Sequence, residues 1–301
     1  MTTHSHSISS DATSIGSTAD ASAAARAAHL EVDAPPHLLE DPLAVHLLGD
    51  SGASFLSFQR NFPAEPMLAT ARLWTTARSR VAEDHLAASA ARQYVVLGAG
   101  LDTSTLRVAA PSGRVSYEVD LPRVQAAKRA ALEAAGIALP AEVDLVPADL
   151  RDPDWPSALV AAGFDPAAPA FVACLGVTMY LAPAEVQALV QAIATLAPGS
   201  ELVLDHVLPT GSRDRAGEEY ARAVASMAAM VNEPWGFQAT TDAMAAMLEA
   251  EGFVVDAAQD LADAVGPLLA DRTDALHPVR VAGVARAHLP LHRADVKADA
   301  Q

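Results

Sequence analysis

The sequence predicts an α/β protein, a twisted parallel β-sheet with helices on both faces. Three observations carry this. From residue 93 onward, short apolar runs alternate with alanine-rich helical stretches, as repeated βα units would. Those runs are near-continuous rather than alternating, the pattern of strands buried on both faces. The first run leads straight into Gly98-Ala99-Gly100, and the next two end at or near the acids Asp120 and Asp149.

Residues 1–20 are small, polar and Ser/Thr-rich with no apolar core segment, and are expected to be a disordered tail rather than a secretory signal. Residues 21–90 read as helical with breaks. Ala21–Val32 stops before Pro35-Pro36. Asp41-Pro42 reads as the start of a helix, with Asp41 as N-cap, that Gly49 and Gly52 end. A long helix begins at Pro66, with Leu68, Leu73, Trp74, Ala77, Val81 and Leu86 along its apolar face. The cofactor-binding core is placed at 91–210. Its strands are 94–97, 115–119, 143–146, 170–174 and 201–204, and its helices 121–135, 155–162 and 184–196. The helix 214–231, within 211–240, is too long for a simple αβ connection and reads as a lid insertion ended by Asn232-Glu233-Pro234. A helix at 242–251 and strands at 253–255 and 279–285 complete a single domain over 21–290, leaving a flexible tail at 291–301.

Charge narrows the function classes. Lys and Arg total 20 against 37 Asp and Glu, giving a net charge of −17 with no like-charge block, so phosphate backbones and anionic lipid are repelled. Neither nucleic acid nor membrane is expected as a partner. The single cysteine, Cys174, excludes an internal disulfide framework and a multi-cysteine zinc site. The ten histidines show no metal-ligand spacing. The uncharged stretch 166–184 is interrupted by Pro166, Pro169, Gly176 and Pro183, and reads as a strand, loop and new helix rather than a membrane span. A cytoplasmic location is expected.

The chemistry sits at the strand ends. Glycines after a strand permit a tight turn and close approach of a ligand to the backbone; the dinucleotide fingerprint would place a third glycine at 103, where this chain has Thr103. Asp120 lies twenty residues after Gly100, where an acid can accept hydrogen bonds from ribose hydroxyls. It also suits the N-cap of the helix opening at Leu121-Pro122, and Glu118 is a second acid inside the same strand. Asp149 stands just past the third strand, as an acceptor for an adenine amino group or as a simple loop acid.

The segments Arg78-Ser79-Arg80, Leu97-Gly98-Ala99-Gly100-Leu101-Asp102-Thr103 and Glu118-Val119-Asp120-Leu121-Pro122 resemble the leucine carboxyl methyltransferase family. Asp149-Leu150-Arg151-Asp152, Gly176-Val177-Thr178-Met179-Tyr180-Leu181 and Pro234-Trp235-Gly236-Phe237 extend the resemblance in order over residues 22–286. It implies a Rossmann-like class I methyltransferase, with a seven-stranded sheet containing one antiparallel strand, and S-adenosylmethionine as cofactor. It further implies that Arg78 meets the carboxylate of the methionine moiety, Gly98 and Gly100 line the cofactor, Asp120 holds the ribose, and Asp149 with Leu150 contacts adenine. Two positions depart from the family. Ser104 stands where arginine is usual. Leu175 stands where a glutamate would face the cofactor's ammonium group, which then needs another acceptor such as the carbonyls of Gly98 or Cys174.

His206, read as following the fifth strand beside Asp205, is the one histidine placed at the same sheet edge, as a general base or as a polar residue opening a loop. Cys174 reads as a packed small hydrophobe, and Met227, Met230, Met244 and Met247 as lid or core packing. The expected function is S-adenosylmethionine-dependent O-methylation of a carboxylate or hydroxyl on a small-molecule acceptor. A non-catalytic cofactor-binding protein and a nicotinamide-dependent oxidoreductase are the alternatives.

Overall fold

A computed structural model describes residues 17–230 and 233–291. Three helices precede the sheet: α1 (Ser17–Val32), α2 (Asp50–Asn61) and α3 (Pro66–Ala88). Then follow β1 (Gln93–Leu97), β2 (Val115–Asp120), α4 (Pro122–Ala134), β3 (Val143–Pro147), α5 (Trp155–Ala161), β4 (Ala170–Cys174), α6 (Pro183–Ile193) and β5 (Glu201–Val207). The chain continues through α7 (Arg215–Met230), α8 (Thr241–Ala250), β6 (Val254–Asp260), two one-turn helices α9 (Leu261–Ala264) and α10 (Gly266–Leu269), and β7 (Ala282–His288).

The sheet order is β3-β2-β1-β4-β5-β7-β6. Strands β1 to β5 pair in parallel, and β7 runs antiparallel to both β5 and β6. The chain steps outward from β1 to β3 and then returns to the other side of β1. That places a topological switch point between β1 and β4, where open α/β sheets bind ligands at the carboxyl ends of their strands.

Alternation along the strands divides the core. Val95, Leu97, Tyr117 and Val119 pack against α5, α6 and α8 on one face. Tyr94, Val96, Phe171 and Ala173 pack against α3 and α7 on the other. Alanines on α1 serve a different end: Ala24, Ala27 and Ala28 are buried against Leu56 and Phe55 of α2, small side chains that let the two helices approach closely. Buried Arg26 of α1 donates to the Asp41 carboxylate at 2.9 Å and to the Leu101 carbonyl at 2.6 Å, and so ties α1 to the loop after β1. The Asp41 carboxylate also accepts from the Thr103 hydroxyl. Burial pushes the Asp41 carboxyl up, but Arg26 and Arg107 hold it below its ordinary value.

Several boundaries differ from expectation. Ser17–Asp20, expected in the tail, form the first turn of α1; residues 1–16 and 292–301, assigned to the tails, lie outside the described residues, as does Asn232. Asp41 caps only a 3-10 turn at Ala44–Leu47, through the Ala44 N–H, because its carboxylate is committed to the buried arginines. Gly49 does not end a helix there; it is the N-cap residue of α2. Strand β6 runs five residues beyond the expected 253–255. After Val254 and Val255 this edge strand is made of alanine and polar residues, and that part forms by pairing with β7 rather than by an apolar run. The uncharged stretch 166–184 resolves into β4, a 3-10 turn and the start of α6, and among the described residues no helix is long and apolar enough to cross a membrane.

Candidate active site

The loop after β1 folds back over the end of β2. The N–H groups of Gly98 and Ala99 both donate to the Val119 carbonyl, at 2.8 and 3.2 Å. Gly98 has φ of 66°, and a Cβ there would lie 2.3 Å from Val177 Cγ2, so neither the backbone nor the space admits a side chain. The Gly100 N–H donates to Asp120 Oδ2 at 2.7 Å, and the Leu121 N–H to Asp120 Oδ1 at 2.7 Å. Asp120 thus joins the glycine loop to the second strand end while facing the cleft. Burial pushes its carboxyl above the ordinary value, against the pull of those two N–H groups.

Behind the loop lies a buried polar network. Glu118 is inaccessible, pairs with Lys128 and accepts from the Thr105 hydroxyl at 2.5 Å. It braces the loop from below, which leaves Asp120 as the acid of β2 that faces the cleft. Ser104 is buried too, with its hydroxyl 2.9 Å from Tyr94 Oη and 2.5 Å from Asp102 Oδ1. Asp149 stands beyond β3, and Arg151 covers its carboxylate through bonds of 2.7 and 2.9 Å, holding it below its ordinary value.

The end of β4 supplies Leu175, half-buried, and Gly176, with φ of 71°. The Arg78 guanidinium from α3 lies over Gly176: a Cβ on that glycine would stand 2.6–2.8 Å from three guanidinium atoms. Both are held by Asp205, a residue sequence reasoning treated only as a neighbour of His206. Asp205 is fully buried and accepts from the Gly176 N–H at 2.6 Å, the Trp74 indole N–H at 2.9 Å and Arg78 Nη1 at 3.4 Å.

These strand ends and helices α1, α2, α3 and α7 enclose a cavity of about 930 Å³. Arg78, Gly98, Gly100, Asp120, Asp149, Leu150 and Leu175 all line it. His206 does not. It lies within β5, which extends to Val207, and is fully buried with its ring against the bare Cα of Gly283. Its two ring nitrogens have no hydrogen-bond partner among the described residues, and burial lowers its pKa. Cys174 is buried in β4, and burial pushes its thiol up, as for a packed residue rather than a nucleophile. Met244 is core, whereas Met227 and Met230 line the cavity.

The model of the family described as leucine carboxyl methyltransferase matches residues 19–194. A Mycolicibacterium vanbaalenii protein is 38% identical over 227 residues, covering 69% of this chain and 74% of its own. This chain belongs to the leucine carboxyl methyltransferase family. The M. vanbaalenii relative carries the provisional name of an S-adenosyl-L-methionine-dependent methyltransferase. So does a Mycolicibacterium smegmatis relative, 39% identical over 230 residues, with 71% of this chain and 76% of that one covered. Among solved structures, a provisionally named methyltransferase from Thermobifida fusca is similar in fold, with a TM-score of 0.57 at 20% identity, over 81% of this chain and 90% of that one. A DUF574 family protein from Streptomyces avermitilis has the same TM-score at 18% identity, over 88% and 97%. The class I fold that the family resemblance implies, with its one antiparallel strand, is the fold observed.

Proposed function

We propose that this member of the leucine carboxyl methyltransferase family methylates an oxygen, carboxylate or hydroxyl, of a small-molecule acceptor with S-adenosylmethionine as donor. The observation that carries the reading is the meeting of Gly98, Gly100, Asp120, Asp149 and Arg78, from three strand ends and one helix, on a single cavity. The chemistry of this set suits the cofactor part by part. A carboxylate at the end of β2 accepts from ribose hydroxyls. A second, with the apolar Leu150, meets the adenine. The planar fork of Arg78 matches a carboxylate, and side-chain-free backbone lies between them. Leu175 offers no acceptor for an ammonium group, which falls instead to the carbonyls of Gly98 or Cys174.

When bound, S-adenosylmethionine would supply an activated sulfonium methyl group for in-line transfer to the acceptor oxygen, with the thioether as leaving group. The protein's part is positioning and exclusion of water. Asp205 fixes Arg78 and the Gly176 turn, the Glu118–Lys128 pair braces the glycine loop, and α1 and α7 cover the cleft. A carboxylate acceptor needs no base, in keeping with a cavity that His206 does not reach. The test is calorimetric titration with S-adenosylhomocysteine, with NAD as control, followed by transfer of a labelled methyl group to candidate acids and phenols. Binding of NAD in place of S-adenosylhomocysteine overturns the reading.

A further inference from the structure

The acceptor side of the cavity has a chemistry of its own. Helix α2 contributes Phe55, Phe58 and Gln59 to the wall, and the first half of α3 contributes Met67, Leu68 and Ala71; none is charged. Helix α7 presents Tyr220, Val224, Met227 and Met230 to the cavity and its rim and carries its charges, Arg215, Glu218, Glu219 and Arg222, elsewhere on its surface. The charged lining groups stand elsewhere on the cavity: Arg26 on α1, Arg78 and Glu83 in the second half of α3, Glu233 after α7, and the others around the β1, β2 and β3 ends. In a chain of net charge −17, a stretch of wall drawn from α2, the first half of α3 and α7 without a formal charge marks a site for apolar matter.

The rim adds a second observation. Large apolar side chains exposed to water carry meaning when they gather. Phe58 is 59% exposed, Met227 50% and Met230 76%, and all three stand on this one cavity. Trp74 packs edge-on against both Tyr220 and Trp235, at 5.9 and 6.0 Å between ring centroids, so the α7 wall is seated on α3. Four of the seven methionines, Met67, Met179, Met227 and Met230, line the cavity, and their unbranched thioethers suit a surface that adapts to ligand shape.

We infer that the acceptor is an amphiphile: a hydrocarbon or aromatic body held between α2, α3 and α7, with one methylatable oxygen turned inward towards Arg78 and the cofactor. This rests on the methyltransferase reading and names its substrate class. Binding then exchanges exposed Phe58, Met227 and Met230 surface for contact with the acceptor body.

The test is a titration of the protein, saturated with S-adenosylhomocysteine, with hexanoate, octanoate, decanoate and naphthoate, and with citrate and gluconate as polar acids. Affinity should rise along the straight-chain series by about fourfold per methylene buried, and the polar acids should not bind. Met227→Glu should abolish that rise while S-adenosylhomocysteine binds as before, and Met227→Leu should restore it. A flat series, or preference for the polar acids, overturns the inference and leaves the methyltransferase reading standing. Failure to bind S-adenosylhomocysteine at the first step overturns the reading beneath it, and the inference with it.

Discussion

The guanidinium of Arg78 and the carboxylate of Asp205 stand 3.4 Å apart, the arginine 12% exposed towards the cavity and the acid fully enclosed behind it. Asp205 also holds Trp74 and Gly176, so one carboxylate gathers α3, the β4 turn and β5. Asp205→Asn keeps the shape but loses the charge, and turns an amide N–H₂ on donors that need an acceptor. Unfolding free energy should fall by about 1–3 kcal/mol, the cost of leaving a buried polar partner unmet. Affinity for S-adenosylhomocysteine should fall as Arg78 loses its anchor. Arg78→Lys should lower affinity with little change in urea-denaturation midpoint, since the lysine lacks the planar fork but keeps the charge. An Asp205→Asn protein equal to the parent in both measurements would remove Asp205 from this role.

Asp120 gives a pH signature as well as a mutational one. Asp120→Ala removes a charged acceptor worth about 1.5–3 kcal/mol per hydrogen bond, and orphans the Gly100 N–H. Cofactor affinity should drop roughly tenfold to a hundredfold per lost bond on that scale. On the proposed reading, ribose hydroxyls donate to the ionised carboxylate. Burial raises the pKa of this group, so affinity should decline on acidification while ordinary aspartates, near about 3.9, remain ionised. The sign for stability is opposite: a raised carboxyl binds its proton more tightly folded than unfolded, so Asp120 detracts from stability above its own pKa. Calorimetry across a pH series should show affinity falling on the acid side, and Asp120→Ala should flatten that profile.

The strand-end residues were legible because each rides on an apolar run whose end the sequence marks. Gly98, Gly100, Asp120 and Asp149 therefore all fall on the cavity. Arg78 came only from the family resemblance: on a long helix with an imperfect apolar face, nothing local separates it from Arg80, which lies 2.7 Å from Asp84 at the surface. The fate of Asp205 and His206 turned on where β5 stops. Its apolar run ends at Leu204, but antiparallel pairing with Val284, Gly283 and Ala282 of β7 extends it to Val207. Strand alternation then sends Asp205 to the α3 side and His206 to the opposite face, where Gly283 makes room for the ring. Pairing with a strand almost eighty residues away leaves no local trace.

Two enclosed histidines set an acid limit on the fold. His29 is inaccessible; its Nδ1 lies 2.8 Å from Asp33, and its Nε2 accepts the Leu38 N–H at 2.9 Å. Arg72 already satisfies Asp33 with two bonds, at 2.8 and 2.9 Å, so the imidazole is held neutral. Burial lowers its pKa, and that of His206. An unfolded histidine takes its proton near about 6.5, whereas these resist until lower pH. Their stabilisation is therefore complete above about 6.5 and is lost progressively as pH falls from there towards the folded values. Thermal unfolding should show a falling Tm below neutrality, and His29→Gln should flatten that slope while lowering Tm overall. His206→Ala should lower Tm through the cavity it leaves, with no effect on the pH dependence of methyl transfer. A turnover loss of a hundredfold at unchanged cofactor affinity would return His206 to the chemistry.

Leu175 tests whether the cavity retains a place for the acid that this family usually carries. The side chain is half-buried, lines the cavity and packs beside the cluster that contains Trp74 and Met179. The neighbouring Gly176 lies under the Arg78 guanidinium. A glutamate at 175 would enter with a fixed cation nearby and an open cavity in front, conditions under which a partly buried carboxylate is paired rather than stranded. Leu175→Glu should fold with a Tm within a few degrees of the parent. It should bind S-adenosylmethionine as tightly or about tenfold tighter, the lower end of the worth of one charge-assisted bond to the ammonium group. Demethylated product, which keeps that ammonium, should gain equally, whereas an analogue lacking the amino group should gain nothing. That difference separates a direct contact from a general electrostatic effect. A clear drop in Tm with no gain for either ligand would show that the wall at 175 is packed for an apolar residue. The carbonyls of Gly98 and Cys174 would then be left as the ammonium acceptors.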